Sequence, residues 1–415
     1  MVNTKTNIRA SKDKIPLKYW VWLGGVAITM TCTQALAFGL VWVAAGISAG
    51  LASAIAIAVI APRVGLSLFG GAIADKVGPG RMMITVDALM VVVVGSLAFM
   101  VWSNGPTPLL LIACSLALGV ADGFYLPASG AIPKFMVPND SLPQAMAGRQ
   151  LVAQGTTLFG PALGGFVVLF GLEQSLAIGA AGFFAMLLVL LGIRQALPLK
   201  ASSGETSPSL IHGIKQSFIT MWCNVNLRLT SFLTVTFSLF VLPLTSLLIP
   251  LIGQMREWAP TETGMVMGAF GGGMVLVSAI VLVKGGMKNA GLVASLGILI
   301  AGLASIGLST ATQIEYAITA AAIAGVGAAV FSTHLGPLFV QSAPREQIAS
   351  LQSILILAQS IPTLVATPAI GVLASATSSS MTVMCWGLGA VLVGGTATGI
   401  ILRYKNALIK EPENS

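Results

Sequence analysis

Long apolar runs alternate with short polar breaks along almost the whole chain. Cutting at the breaks leaves twelve runs of roughly 20 residues or more, the length that a helix needs to cross the hydrocarbon of a bilayer. Six of them occupy 19–45, 49–73, 82–102, 108–131, 143–169 and 174–195, and six more occupy 229–253, 262–283, 290–309, 315–340, 347–374 and 379–402. The pattern predicts an all-α membrane protein with twelve transmembrane helices in two groups of six.

The longest polar interval lies near the middle of the chain, at 196–228. Its "KASSGETSPSL" stretch precedes a mildly amphipathic "LIHGIKQSFITMW", which predicts a linker followed by a surface helix. The predicted organisation is an N-terminal tail, a six-helix bundle, this cytoplasmic linker, a second six-helix bundle and a C-terminal tail, at 1–18, 19–195, 196–228, 229–402 and 403–415.

The two groups of helices share a local sequence pattern. "MVPNDSLPQA" follows the fourth run and "SAPREQIASL" follows the tenth, and their Pro-polar-acid triplets begin at Pro138 and Pro344, which are 206 residues apart (344 − 138). A repeat of about half the chain predicts two pseudo-symmetric bundles, with a substrate site where they face each other near mid-membrane.

Composition and charge support a membrane location. Of the 415 residues, 56% are hydrophobic and only 8% are charged, which leaves no room for a sizeable soluble domain. When the runs alternate across a bilayer, all but Arg63 and Arg256 of the 21 Lys and Arg fall on or near one side. The positive-inside rule therefore predicts a multi-pass protein of the cell membrane with both termini in the cytoplasm. We attribute the net charge of +8 to basic residues that contact anionic lipid headgroups, and we expect no nucleic-acid binding.

A charged segment, "GGAIADKVGPGR" at 70–81, separates the second and third runs. It resembles the signature loop of the major facilitator superfamily through Gly71, Ile73, Ala74, Asp75, Lys76 and Gly78, whereas Pro79 and Gly80 replace two basic positions and Arg81 comes one residue late. The resemblance implies the major facilitator fold and a latch that holds the two bundles together in the outward-open state. A carboxylate such as Asp75 can bind the positive N-terminal end of a neighbouring helix. The alternative is that Asp75 only caps the third helix.

A second motif, "GPALGG" at 160–165, lies in the fifth run. It resembles the core of the antiporter signature of exporting family members, which implies efflux; the residues concerned are Gly160, Pro161, Gly164 and Gly165. Close helix packing through small residues is the alternative explanation. "ADGFYLPASGAIPKFMVP" at 121–138, together with Arg63 and Asp87, also looks like the branch that contains enterobactin exporters and macrolide efflux pumps.

Four ionisable residues within the predicted spans are candidates for transport roles, since such groups usually mark a pathway: Arg63, Asp87, Asp122 and His334. Asp122 lies in a polar stripe and is predicted to exchange the coupling proton. Burial and a nearby cation shift the pKa of a carboxyl group in opposite directions, so its protonation can change as the exposure of the cavity changes. The alternative is a permanently ionised partner of Arg63 or Arg149. Asp87 is a second proton-coupling candidate or an interfacial acid that pairs with loop cations. His334 is a third candidate or a hydrogen-bonded packing residue.

Further polar residues at roughly helical spacing are predicted to line the substrate cavity with Arg63: Thr33, Gln34, Tyr125, Gln150, Gln154, Gln352 and Gln359. Most of the surrounding sequence is apolar, with Phe124, Phe237 and Phe240 among the aromatic residues. This composition suits a hydrophobic or amphipathic solute better than a sugar or a small anion.

Sequence motifs for enzymes and metal sites are missing. There is no Walker loop, HExxH or nucleophile elbow, and the four scattered cysteines show no metal-ligand spacing. We therefore predict a monomeric secondary transporter without a cofactor, whose partners are a small-molecule substrate and the bilayer, and which exports the substrate in exchange for protons. The alternatives are a proton-coupled importer in which Arg63 holds an anionic solute, and a transport-silent receptor or assembly factor of the same fold.

Overall fold

A computed structural model describes residues 15–138, 141–197, 218–284, 287, 289–344 and 348–410. Within these ranges every regular element is helical, and twelve helices are long and apolar enough to cross a membrane. The prediction of an all-α protein with twelve transmembrane helices is confirmed.

The first six helices are α1 (Leu17–Ile47), α2 (Ala49–Val77), α3 (Pro79–Asn104), α4 (Pro108–Met136), α5 (Leu142–Val167) and α6 (Leu172–Gly192). The second six are α7 (Val225–Met255), α8 (Pro260–Lys284), α9 (Ala290–Thr310), α10 (Ile314–Ser342), α11 (Ile348–Ala376) and α12 (Ser379–Lys410). Helix α12 continues eight residues beyond its predicted end (410 − 402), into the segment that the sequence assigned to the C-terminal tail. Most of the 196–228 linker, including much of its predicted surface helix, lies outside the described residues; 218–223 is helical.

Each group of six helices forms a bundle. In the first bundle, α1 packs against α5 and α6, α2 packs against α4, and α3 packs against α4 and α6. In the second, α9 packs against α10 and α12, α8 against α10, and α7 against α11. The bundles meet mainly along three helix pairs: α5 with α8, α2 with α11, and α1 with α7.

The segment that resembles the facilitator signature is almost entirely helical, which corrects the prediction of a loop. Asp75 and Lys76 lie in the last turn of α2, Arg81 lies in the first turn of α3, and only Gly78 stands between the two helices. Gly78 has a φ of 97°, a conformation that side-chain-bearing residues rarely adopt. It is also the N-cap of α3, so Asp75 does not occupy that position. A single glycine therefore replaces the expected loop.

Helix α7 is built in three parts. An α-helical part, Val225–Phe240, is followed by a π-helical turn, Leu244–Leu248, and a last α-helical part, Ile249–Met255. Pro243 lacks the N–H that would bond to the carbonyl of Leu239. The indole Nε1 of Trp386 in α12 donates to that carbonyl at 2.9 Å instead. The break is thus stabilised from within the second bundle.

Candidate functional site

The two bundles are pressed together at one end of the molecule. We call this the far end, because it carries the α1–α2 connection; the opposite end, near Leu17 and Arg403, is the terminus end. In the far half, a side chain at Gly165 of α5 would overlap the carbonyl oxygen of Pro260 in α8. A Cβ atom on Gly264 would lie 2.6 Å from the carbonyl oxygen of Pro161. The α5–α8 interface therefore requires glycine on both helices.

The α2–α11 interface repeats this arrangement. Gly371 of α11 leaves no room for a side chain against Ser53 of α2, also in the far half. Gly165 and Gly371 are 206 residues apart (371 − 165), the same offset as the repeated triplets in the sequence. Between α7 and α1, the Nε2 atom of Gln254 donates to the carbonyl of Trp42 at 3.1 Å. All three helix pairs thus make close contacts at the far end.

Toward the terminus end, α5 and α8 separate and leave a cavity of about 420 Å³. Its lining comes from three helices: Gln150, Leu151 and Gln154 of α5, Ser278, Val281 and Leu282 of α8, and Ser332, Thr333 and Pro337 of α10. Gln154 lies one turn before Leu158, whose backbone contacts Gly271 of α8. The cavity and the tight contact are therefore consecutive parts of one interface, and none of the described lining residues carries a formal charge.

The structure places two of the predicted cavity residues, Gln150 and Gln154, in this lining. The others whose side chains the structure describes lie outside this lining. The Gln34 side chain packs against Gly160, Thr33 is half-buried on α1, and the Tyr125 hydroxyl is buried in the first bundle. Gln359 is exposed on α11, and the side chain of Gln352 lies outside the described residues.

Three hydroxyl residues of the cavity were not predicted: Ser278, Ser332 and Thr333. The sequence held a weak signal for Ser278, since it is a lone polar residue in the apolar run "MVLVSAIVLV". Two of the predicted aromatic residues, Phe237 and Phe240, pack within the second bundle. Phe237 stacks on Phe331 with ring centroids 4.2 Å apart.

Arg63 and Asp122 form an ion pair between α2 and α4, with Nη1 and Oδ2 3.7 Å apart. The side chains are 38% and 33% exposed, so the pair is only partly buried. A tight helix contact positions it: Gly119 of α4 lies against the backbone of α2, where Pro62 leaves the carbonyl of Ala58 without its helical donor.

Arg149, the other partner considered for Asp122, makes a different contact. Its Nη2 atom donates to the Ser129 hydroxyl at 3.3 Å, which joins α5 to α4. Asp122 and Ser129 belong to the same polar stripe on α4, together with Ser115, which is fully buried. The stripe therefore carries two separate cation contacts, one to α2 and one to α5.

Asp87 is fully buried on α3, at 0% exposure. Neither of its carboxyl oxygens has a hydrogen-bond partner among the described residues. No described cation forms an ion pair with it, and both roles considered for Asp87 stay predictions. Tyr125 of α4 is its electrostatic neighbour, and the Tyr125 hydroxyl is likewise buried without a described hydrogen-bond partner.

His334 is 3% exposed on α10, and both of its ring nitrogens have polar contacts with the backbone. Nε2 accepts a hydrogen bond from the backbone N–H of Met287 at 2.9 Å, and Nδ1 lies 2.9 Å from the carbonyl oxygen of Val330. An acceptor at Nε2 and a carbonyl at Nδ1 fit a neutral ring protonated at Nδ1. His334 thus ties the α8–α9 connection to α10.

The two predicted motifs differ in how much of them the structure describes. Gly71 and Asp75 lie in α2, but the Asp75 side chain lies outside the described residues; Lys76 and Arg81 are exposed.

In the second motif, Gly160 and Gly164 pack against Gln34 and Ala35 of α1, whereas Pro161 and Gly165 face α8. "GPALGG" therefore serves one interface within the first bundle and one between the bundles.

The chain matches a known protein family over most of its length. The family model described as "Major Facilitator Superfamily" matches residues 21–367. The chain belongs to the major facilitator superfamily. The resemblance at 70–81 is thereby confirmed at the level of the superfamily, and this facilitator is a multi-pass membrane transporter and not an enzyme.

Several curated facilitator proteins are similar to part of the chain. The uncharacterized MFS-type transporter YfiS of Bacillus subtilis is 30% identical over 162 residues, 38% of this chain and 39% of that protein. The multi-drug resistance efflux pump PmrA of Streptococcus pneumoniae is 30% identical over 215 residues, 50% of each chain. The multidrug efflux pump Tap of Mycobacterium tuberculosis is 25% identical over 235 residues, 54% of this chain and 55% of that protein. The chain thus spans between two fifths and just over half of these relatives.

Solved structures extend the similarity over nearly the whole facilitator chain. A crystal structure of a POT family transporter in complex with a thioalcohol conjugated peptide superposes with a TM-score of 0.74 and covers 94% of this chain and 96% of that chain. The two sequences are 14% identical, so the similarity shows the shared fold alone.

Proposed function

We propose that this transporter exports a hydrophobic or amphipathic small molecule in exchange for protons, by alternating access. The observation that carries the proposal is the α5–α8 interface, which is tight in the far half and open as a cavity in the terminus half. Because the positive-inside rule assigns the terminus end to the cytoplasm, the cavity opens toward the side from which an exported substrate is loaded.

The opposite state follows from closing the terminus half and opening the far half. Rocking the bundles would bring the Gln154 face of α5 onto the Ser278 face of α8 and would separate Gly165 from Pro260. The residues that resemble the facilitator signature lie at the terminus end, where the bundles must then meet. We assign them as the latch of this outward-open state: Gly71, Asp75, Lys76, Gly78 and Arg81.

Proton coupling is assigned first to Asp122. Protonation of Asp122 would remove the negative charge beside Arg63 and weaken the α2–α4 ion pair. Since α2 also forms the α2–α11 interface through Ser53, this change acts on a helix that moves between the two states. Asp87 remains a secondary candidate. His334, whose two ring nitrogens both have hydrogen-bonding contacts, is proposed as a packing residue. The proton gradient takes the place of a cofactor.

Export is favoured over uptake of an anionic solute by the ion pair itself. Arg63 lies beside the Asp122 carboxylate, so it does not present an uncompensated cation to an anion. Two relatives with partial similarity, PmrA and Tap, are named multidrug efflux pumps. The proposal includes a monomer in the cell membrane with both termini in the cytoplasm.

Fluorescent-dye efflux from a pump-deficient bacterial host tests this function, with and without a protonophore. We expect the chain to lower dye accumulation and the protonophore to abolish the effect. In everted vesicles, Asp122→Asn should remove proton-driven transport, whereas Glu315→Gln, a substitution of an exposed acid at the far end of α10, should not. Proton-driven transport that persists in Asp122→Asn would contradict the coupling assignment, and uptake in place of efflux would contradict export.

A further inference from the structure

Two residues that line the cavity between α5, α8 and α10 carry buried polar atoms without a partner among the described residues. Gln154 is 5% exposed, and its Oε1 atom has no hydrogen-bond partner among the described residues. The Ser278 hydroxyl is also buried and without a partner in the described part of the chain. A buried polar atom without a partner costs free energy. A ligand can recover this free energy when the side chain turns its polar atom toward the cavity and bonds to the ligand.

The two α10 hydroxyls in the same lining are already engaged. Thr333 donates to the carbonyl of Ala329 at 2.6 Å, and Ser332 donates to the same carbonyl at 3.3 Å. The unused hydrogen-bonding capacity is therefore concentrated on Gln154 and Ser278. These two residues belong to opposite bundles, so a ligand that bonds to both would connect the bundles.

The charge around the cavity opposes a cationic ligand. None of the described lining residues is acidic, so an ammonium group would be desolvated without a counter-charge. The charged residues that adjoin the lining in sequence are both basic: Arg149 precedes Gln150 on α5, and Lys284 follows Leu282 by two residues on α8. The remaining lining is mainly apolar, and Leu151 and Leu282 are 50% and 67% exposed. An apolar body can therefore lie against this edge of the cavity.

We infer that this cavity binds an uncharged amphipathic molecule, and that Gln154 and Ser278 both bond to its neutral polar group. An amide, a sulfonamide or a hydroxyl group fits, because a side-chain amide and a hydroxyl can each donate and accept. The inference rests on the proposed function in taking this ligand as the transported substrate. It adds that neutral substrates are selected over cationic ones with the same apolar body.

Binding of two matched fluorophores to the purified full chain in lipid nanodiscs tests the inference without requiring transport. One is N-hexyl dansylamide, and the other carries a trimethylammonium group at the end of the same hexyl chain. Fluorescence titration should show the neutral probe binding at least about tenfold more tightly than the cation. Gln154→Leu and Ser278→Ala should each weaken the neutral probe by about fivefold to tenfold, as expected for one lost hydrogen bond.

Two controls distinguish the site from general effects. Gln174→Leu removes an exposed amide from α6, and Ser305→Ala removes a buried hydroxyl from α9; both should bind the neutral probe as the unaltered chain does. Equal or tighter binding of the cation, no binding of either probe, or unchanged affinity in both cavity variants would overturn the inference. Selective binding of the neutral probe without proton-driven efflux would support the site and contradict the proposed function, so the two can fail separately.

Discussion

Gly165 of α5 packs against the backbone of Pro260 in α8 so closely that a side chain at this glycine would overlap the Pro260 carbonyl oxygen. Gly165 also ends the "GPALGG" segment, in which Gly160 and Gly164 face α1. A motif that the sequence related to antiport is therefore, in physical terms, the point where one bundle closes against the other. Its glycines permit the far end to shut.

Enlarging this glycine should hold the far end open. In a background without native cysteines, Gly165→Leu should raise the rate at which a Ser53→Cys variant reacts with a membrane-impermeant thiol reagent added outside. Ser53 is 4% exposed in the α2–α11 interface and is accessible only if the far end opens. Efflux should fall strongly. Gly155→Leu is the matched control on α5, because no atom lies within 4 Å of its added Cβ. Equal labelling in the two variants would contradict the role of Gly165.

Removing the Arg63–Asp122 ion pair should affect transport far more than folding. Both side chains are about one third exposed, and ion pairs of this kind contribute roughly 0 to 1 kcal/mol. We expect the Tm of Asp122→Asn to change by only a few degrees in a detergent-solubilised thermal unfolding assay. A large drop in Tm would show that the pair is structural and would remove the basis for assigning it to coupling.

Asp87→Asn should not destabilise the protein, although Asp87 is fully buried. Its carboxyl group is fully buried with no described hydrogen-bond partner, and a buried unpaired polar group costs about 1 to 3 kcal/mol, more when charged. Asp87→Asn removes the charge and should leave Tm unchanged or raise it by a few degrees. The measurement is the unfolding assay used for Asp122→Asn, which serves as the partly exposed reference. A clear decrease in Tm would reveal a stabilising partner for the carboxylate.

His334 should act on the α8–α9 connection and not on the proton. Loss of its hydrogen bond to Met287 in His334→Leu should accelerate amide exchange at Met287 by roughly fivefold, the equivalent of about 1 kcal/mol. His334→Gln, which keeps an acceptor, should exchange more slowly than His334→Leu. Both variants should retain proton-driven efflux. Lost efflux in both, without a change in exchange, would instead support a proton-relay role.

The helices themselves could be predicted from the sequence, because the bilayer imposes both their length and their apolar composition. The ends of the helices were harder to predict. Hydropathy does not distinguish a helix that stops at the membrane surface from one that continues into water, and α12 continues through 403–410. The charged segment at 70–81 suggested a loop, but one glycine with positive φ, Gly78, is enough to join two helices.

The candidate site was only partly predictable. Polar spacing identified Gln150 and Gln154, since amides are conspicuous in an apolar helix. It also selected Gln34, whose stem instead packs on Gly160, because spacing alone does not tell which helix a face meets. Ser278 was missed for the complementary reason. A lone hydroxyl in an apolar run usually bonds to its own helix, and its unpaired state emerges only when α5 and α8 are placed side by side.

Distances between spin labels across α5 and α8 test alternating access most directly. One pair, at Leu151 and Leu282, reports the terminus half, and another, at Phe166 and Met265, reports the far half; all four side chains are at least 50% exposed. Lowering the pH from about 8 to about 6, within the range over which buried carboxyl groups in proteins titrate, should change the two distances in opposite directions. Two distances that stay constant, or that lengthen or shorten together, would contradict the account.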